Sequence, residues 1–252
     1  MKIEDSKNNQ INSIEDWRKI QPKAKWKAGR SAFELAKFVI QDHGVKYISD
    51  IVNKLLDKEV ILEHATPECN VNFDKFRSGR KHDLGIWGKV FDENVTKKVF
   101  IGIEAKVDEP FDCRTIKDAY IEGIIGQLNQ KESNLPERIT GLLKRFSIKI
   151  SKKHFNLRYQ LLFSLAGTID AKADIHIFMI LVFKTPLYDK KKGDINKKDY
   201  QTFMSNINAE QKLLTKKEKC YKTNIKNKEG IEKDIYSVCL LYTSDAADDL
   251  IG

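Results

Sequence analysis

The alternation of apolar and polar residues predicts a mixed α/β domain built around one long strand. Residues 98–107 are apolar at every odd position, whereas the even positions include Glu104 and Lys106. Because successive side chains of a strand point to opposite faces, one face of this strand is predicted to be buried. Shorter apolar runs predict three further strands, at residues 60–64, 83–87 and 175–183.

Helical spacing of apolar residues predicts the elements that cover this sheet. Residues 30–43 carry an apolar stripe at that spacing, with Ser31 as the predicted N-cap and Glu34 three residues later. Residues 157–171 are apolar almost all round, which predicts a buried helix. A further helix is predicted over residues 47–56.

The other segments are predicted to be appendages of a core that spans residues 30–184. Residues 1–29 are polar and are expected to be flexible. Residues 108–156 have the pattern of a helical insertion. The lysine-rich residues 185–238 are interpreted as a C-terminal extension of helices and loops.

The end of the chain has a distinct pattern. From Cys239 to Asp249 the sequence CLLYTSDAADD resembles the in-frame translation of a sequencing-library adaptor. We therefore expect residues 239–252 to be foreign to the domain and dispensable for its stability.

Composition narrows the classes of function. The 252 residues include 45 Lys and Arg against 36 Asp and Glu, a net charge of +9. This lysine excess favours polyanionic partners, although a solubilising surface explains it equally well. No apolar run approaches the roughly 20 residues of a membrane helix, and no apolar signal segment opens the chain, so we expect a cytoplasmic protein with no membrane partner. The four cysteines are too widely spaced to predict a zinc site or a disulfide framework.

Three charged residues suggest a catalytic centre. Glu104 and Lys106 are two apart on the predicted central strand, so their side chains share a face. Charges on such a buried element are costly unless they are paired or bind a metal. Asp83 begins the preceding strand, and a hairpin-like pairing would bring the three together. Two carboxylates that hold Mg²⁺ beside a lysine are what metal-dependent phosphodiester hydrolysis requires.

These residues carry a resemblance to a known superfamily. The segment HDLGIWG…VFIGIEAKV resembles the core of the PD-(D/E)XK nucleases, which have the restriction-endonuclease-like fold. Asp83 matches the aspartate of the first motif, and Glu104-Ala105-Lys106 matches the (D/E)XK element, although His82 stands where the motif has proline. The family core of a helix, a three-strand meander, a helix and a strand maps onto residues 30–184. The phrases EAKVDEPF and LRYQLLFSLAGT are similar to an uncharacterised branch of the superfamily.

The resemblance implies a nuclease that depends on Mg²⁺ or Mn²⁺ and acts on DNA in prokaryotic defence or repair. Asp83 and Glu104 would bind the metal, and Lys106 would assist the attacking water. Glu34 would complete the acidic cluster, or would serve only as a capping or solvated carboxylate. Gln160 would position the lysine or the water, or would be a satisfied buried amide.

A basic segment precedes Asp83 and is predicted to contact nucleic-acid phosphates, with a plain solvated loop as the alternative. Its cations are Lys75, Arg77, Arg80 and Lys81. Phosphate contacts position a duplex without reading its sequence. Two other functions stay open: a catalytically inactive nuclease-like module that binds nucleic acid, and a metal-dependent enzyme acting on small phosphoesters. DNA against RNA, and a homodimer against other oligomeric states, also stay open.

Overall fold

The computed structural model describes residues 1–22, 24, 26–92, 95–146, 150–215 and 218–243. Within these residues, eight strands form one sheet in the order β1-β2-β3-β4-β5-β8-β7-β6. The strands are β1 (Lys2–Ile3), β2 (Val60–Val71), β3 (Arg80–Asp92), β4 (Val95–Lys106), β5 (Ile175–Phe183), β6 (Glu210–Leu213), β7 (Lys219–Lys226) and β8 (Glu232–Tyr242). The α-helices are α1 (Ile14–Ile20), α2 (Ser31–Ile40), α3 (Gly44–Leu56), α4 (Ile116–Leu128), α5 (Leu135–Arg145), α6 (Tyr159–Ile169) and α7 (Lys190–Asn206). A short 3₁₀ helix spans Lys152–Asn156.

The sheet mixes antiparallel and parallel pairs. Strands β2, β3 and β4 form an antiparallel meander, and β5 lies parallel to β4 on its far side. Strand β8 runs parallel to β5, and β7 and β6 follow in antiparallel order. The fold is therefore mixed α/β, with helices, a three-strand meander, further helices and a parallel strand in chain order.

Helices cover both faces of the sheet, and β4 lies between two apolar layers. On one face α2 and α3 pack against the odd positions of residues 99–107, all of which are buried as the alternation predicted. On the other face α6 packs with β5 in a second apolar cluster. The polar residues of β4 are therefore fixed in place by packing on both sides. No helix in the described part of the chain is long and apolar enough to cross a membrane.

Several boundaries differ from those predicted by the pattern. Strand β5 coincides with the predicted residues 175–183, whereas β2 and β3 are much longer than predicted. Polar residues within β2 and β3 still pair with residues of the neighbouring strand, so the apolar runs indicated only part of each strand. Helix α2 begins at Ser31, and Arg30 takes the N-cap position. The predicted insertion does contain helices, α4 and α5.

The N-terminal residues are not a flexible appendage. Strand β1 pairs with β2 in parallel, and Ser13 caps α1 by accepting the backbone N–H of Asp16. Trp17 of α1 is completely buried, and Ile11 is also part of the core. Two large apolar side chains anchor this segment, and its polar composition concealed them.

The C-terminal segment also belongs to the sheet. Strands β6, β7 and β8 arise where helices and loops were predicted, and β8 lies between β5 and β7. Residues 239–242 pair with residues 180–183, and Leu240 is fully buried. The ring of Tyr242 packs edge-on against those of Phe38 and Tyr47. The expectation that residues 239–252 are foreign to the domain is therefore wrong for residues 239–242, which pair and pack within it. Residues 244–252 lie outside the described residues.

Candidate active site

A cleft at one end of the meander gathers the residues that the sequence singled out. Asp83 of β3, Glu104 and Lys106 of β4 and Gln160 in the first turn of α6 all line it. The pairing of Leu84 with Ile103 brings Asp83 beside Glu104. The Asp83 carboxylate also accepts the backbone N–H of Ala105 at 2.8 Å. The hairpin between β3 and β4 therefore brings the three charged side chains together.

Glu104 is the most heavily engaged carboxylate of the cleft. Its Oε2 accepts from the guanidinium of Arg80, and its Oε1 lies 2.8 Å from the Lys106 ammonium. The Gln160 amide donates to the same Oε1 at 2.6 Å. Burial alone would raise the pKa of Glu104, but the charges of Arg80 and Lys106 outweigh it and lower the pKa to about 2. Glu104 is therefore ionised at neutral pH.

The pKa of Asp83 is shifted in the opposite direction from that of Glu104. Burial and the negative charge of Glu104 raise the pKa of Asp83 to about 7, and the charges of Lys106 and Arg80 offset this only in part. Within the described residues, Asp83 accepts a hydrogen bond from one backbone N–H, whereas Glu104 has three side-chain donors. Neighbouring carboxylates whose pKa values diverge in this way are typical of functional sites.

Lys106 is held as a cation. It is 8% exposed, and burial alone would lower the pKa of its ammonium. The charges of Glu104 and Asp83 outweigh that effect and raise the pKa above its ordinary value. A lysine in this state stabilises negative charge, and it is a poor general base because its proton is tightly held.

The donor set of the cleft suits a hard divalent cation. Asp83 and Glu104 offer carboxylate oxygens from adjacent strands, and Mg²⁺ prefers oxygen ligands with several waters retained. Burial and, after it, the charge of Glu104 raise the pKa of Asp83, and a bound divalent cation would offset both effects. Across the described residues, no group of three or more His, Cys, Asp and Glu side chains is arranged to hold a metal. A bound ion would therefore need water or substrate oxygens to complete its coordination.

Glu34 lies outside the cleft. Its carboxylate accepts the backbone N–H of Gly29 at 2.9 Å and lines a separate depression beside Lys37 and Tyr242. Glu34 thus ties the residue before the N-cap to the first turns of α2, although it does not form the predicted capping box with Ser31, because Arg30 is the N-cap. The structure therefore does not bring Glu34 to Asp83.

The basic segment offers less free charge than its sequence suggests. Lys75 and Lys81 each pair with a glutamate, at N–O distances of 2.5 and 3.0 Å. Arg80 is buried in the cleft, where its partner is Glu104. Arg77 is exposed, and it makes no hydrogen bond or ion pair with the described residues. Of the four cations, Arg77 is therefore the one most available to a phosphate.

Glu68 is a cleft residue that the sequence analysis missed. It lies on β2 opposite Asp83, and its backbone has φ +53°, a left-handed conformation that few residues other than glycine adopt. Its carboxylate accepts from the Gln21 amide at 2.8 Å and pairs with Lys81. No motif marks this position, so the sequence offered no signal beyond a charge within a strand.

Comparison with known proteins identifies a family. No curated protein and no solved structure matches the chain. A family model described as a domain of unknown function, DUF6946, matches residues 10–233. The matched range includes every residue described above as lining the cleft. Because the match covers most of the chain, this protein belongs to the DUF6946 family.

Proposed function

We propose that this protein is a metal-dependent nuclease that hydrolyses phosphodiester bonds of DNA. The observation that carries the proposal is the convergence of Asp83, Glu104, Lys106 and Gln160 in one cleft. The resemblance to the PD-(D/E)XK nucleases supports it, because the order of helix, meander, helix and strand agrees with the core of that superfamily. A place in prokaryotic defence or repair is part of the same proposal.

Each side chain of the cleft has a distinct task in this mechanism. Asp83 and Glu104 would hold Mg²⁺ or Mn²⁺, which when bound supplies an activated water and neutralises charge on the phosphate. Lys106 stabilises the negative charge that develops on the phosphate oxygens as the water attacks. Gln160 donates to Glu104 and accepts from Lys106 at 3.4 Å, so it orients both.

One observation favours an alternative, a catalytically inactive nuclease-like module that binds nucleic acid. Glu104 is already satisfied by Arg80, Lys106 and Gln160, as in a purely structural ion-pair network. Breaking a buried pair of this kind is unfavourable, so such a network can persist for stability alone. Against it stands Asp83, whose raised pKa is not what a network optimised for stability would produce.

A cleavage assay separates the two functions. The purified protein is incubated with supercoiled plasmid, linear duplex, single-stranded DNA and RNA, in Mg²⁺, Mn²⁺ or EDTA. The nuclease proposal predicts DNA cleavage that requires the metal and stops in EDTA. Binding of nucleic acid without cleavage under every condition would favour the inactive module, and the absence of both would overturn both proposals.

A further inference from the structure

Arg80 is a buried arginine whose hydrogen-bonding capacity is used only in part. The residue is 8% exposed and lines the cleft beside Asp83. Its Nη2 donates to Glu104, whereas its buried Nε has no partner within the described residues. A guanidinium has five N–H donors, so most of its donor capacity is not taken up by Glu104.

Packing fixes the side chain of Arg80 rather than leaving it mobile. Its guanidinium lies over the ring of Phe163, 5.1 Å from the ring centre. Its stem crosses Gly167 of α6 so closely that a Cβ at that glycine would lie 2.5 Å from the Arg80 Cβ. An arginine already held in one conformation loses little entropy when it binds an anion.

His82, two residues from Arg80 on β3, and Ser164 of α6 are buried polar residues that do not line the cleft. Both ring nitrogens of His82 and the hydroxyl of Ser164 are buried without a partner in the described residues. The carboxylate paired with Arg80 is that of Glu104, and Asp83, Glu68 and Glu109 also line the cleft.

We propose that Arg80 is a catalytic residue that binds a non-bridging oxygen of the scissile phosphate while Glu104 holds the other edge of its guanidinium. The inference rests on the proposed nuclease function. It specifies that the scissile phosphodiester lies between the side chains of Arg80 and Lys106. A guanidinium suits this task because its planar fork matches phosphate oxygens, whereas an ammonium is a point charge. Arg80 forms no covalent bond and transfers no proton. Hydrolysis adds one water across the P–O bond and yields a phosphate monoester and a free hydroxyl group.

The rival interpretation is that Arg80 is only the counter-ion of Glu104. Arg80→Lys keeps the positive charge but loses the planar guanidinium with its paired N–H donors, and Arg80→Gln loses both the charge and the guanidinium. Arg18→Gln is the matched control, because it removes an exposed arginine of α1 that belongs neither to the cleft nor to the basic segment. Melting temperatures identify which variants are folded. For a counter-ion alone, Arg80→Lys should behave as wild type in every functional assay.

Two readouts distinguish these roles. The first is binding of inorganic phosphate to the metal-free protein, which requires no activity and should weaken about tenfold in both Arg80 variants but not in Arg18→Gln. The second is cleavage of DNA with a single phosphorothioate of defined stereochemistry. The wild-type protein should cleave one diastereomer more slowly, because sulfur is a poorer hydrogen-bond acceptor than oxygen. Arg80→Lys should cleave the two diastereomers equally, and its cleavage rate should be about 10²-fold lower than that of the wild type.

The outcomes separate this inference from the nuclease proposal. Arg80-dependent phosphate binding without cleavage of any substrate would support the anion site and overturn the nuclease. Cleavage by Arg80→Lys at the wild-type rate, with stereoselectivity unchanged, would overturn the role of Arg80 and leave the nuclease standing. If neither Arg80 variant folds, the phosphorothioate assay on the wild-type protein is the test. Equal cleavage of both diastereomers by the wild type would overturn the inference.

Discussion

At the scale of single residues, the cleft is defined by a competition between burial and charge. Asp83 and Glu104 lie side by side, yet the pKa of one is raised to about 7 and that of the other is lowered to about 2. The difference follows from their partners, since Glu104 lies within reach of Arg80, Lys106 and Gln160. Asp83 therefore bears most of the cost of placing two carboxylates together.

This difference predicts how the stability of the metal-free protein depends on pH. The folded-state pKa of Asp83 lies above its unfolded value of 3.8, so the native state binds more protons between pH 4 and 7 and stability falls as pH rises through that window. Asp83→Asn removes this loss, and it should stabilise the protein at pH 8 by on the order of a few kcal/mol but not at pH 4.

Urea unfolding in EDTA, at pH values from 4 to 8, measures the effect. Asp194→Asn, on the exposed side of α7, is the matched control and should follow wild type throughout. Parallel stability profiles for wild type and Asp83→Asn would show that Asp83 is not under this electrostatic stress.

The sequence could predict part of this site and not the rest. The alternation along one strand was enough to predict that Glu104 and Lys106 share a face. Pairing with the preceding strand was enough to predict that Asp83 lies beside them. Arg80 lies three residues before Asp83, so strict alternation places the two on opposite faces, yet both line the cleft. The left-handed backbone of Glu68 on the neighbouring strand marks this irregular point, and no pattern in the sequence encodes it.

At the scale of elements, two glycines allow α6 to lie close to the meander. A Cβ at Gly102 of β4 would lie 2.7 Å from the Thr168 hydroxyl, and one at Gly167 of α6 would meet the stem of Arg80. Both glycines have room for a hydrogen atom alone. This close approach brings Gln160, at the start of α6, within reach of Glu104.

Two glycine-to-alanine substitutions test the helix contact with opposite expected signs. Gly167→Ala forces α6 away from Arg80 and should destabilise the protein by about 1–3 kcal/mol, the usual cost of overpacking. Gly141→Ala in α5 meets no atom within 4 Å, so it should stabilise by about 0.5–1 kcal/mol through helix propensity. Chemical denaturation measures both, and a stabilising Gly167→Ala would contradict the close packing.

At the scale of the whole molecule, the two ends of the chain complete the sheet. Strand β1 extends it beyond β2, and β8 inserts between β5 and β7. The sequence analysis missed them for different reasons. Polar residues dominate the N-terminal segment and conceal the buried Trp17, whereas the end of β8, with the buried Leu240, was interpreted as foreign to the domain. The central order of elements was predictable because each central strand carries its own apolar run.

Truncation tests the contribution of the C-terminal strand. Ending the chain after Val238 removes Leu240 and Tyr242 from the core, and it should cost on the order of 4 kcal/mol or more. Ending it after Thr243 keeps all of β8 and serves as the control. Thermal melting should separate the two forms clearly, and equal melting temperatures would show that residues 239–242 contribute nothing to the fold.

The central claim is that Asp83, Glu104 and Lys106 together form a metal-dependent phosphodiesterase site. Lys106→Met tests it most directly, because it keeps the aliphatic stem and removes the ammonium while Arg80 and Gln160 still hold Glu104. Lys117→Met, on the exposed surface of α4, is the matched control. The measurement is the rate of plasmid cleavage in Mg²⁺ or Mn²⁺ by wild type and both variants, with melting temperature as the check on folding. The account predicts cleavage by wild type and Lys117→Met and a loss of about 10²-fold or more in a folded Lys106→Met; cleavage by Lys106→Met at the wild-type rate would contradict it.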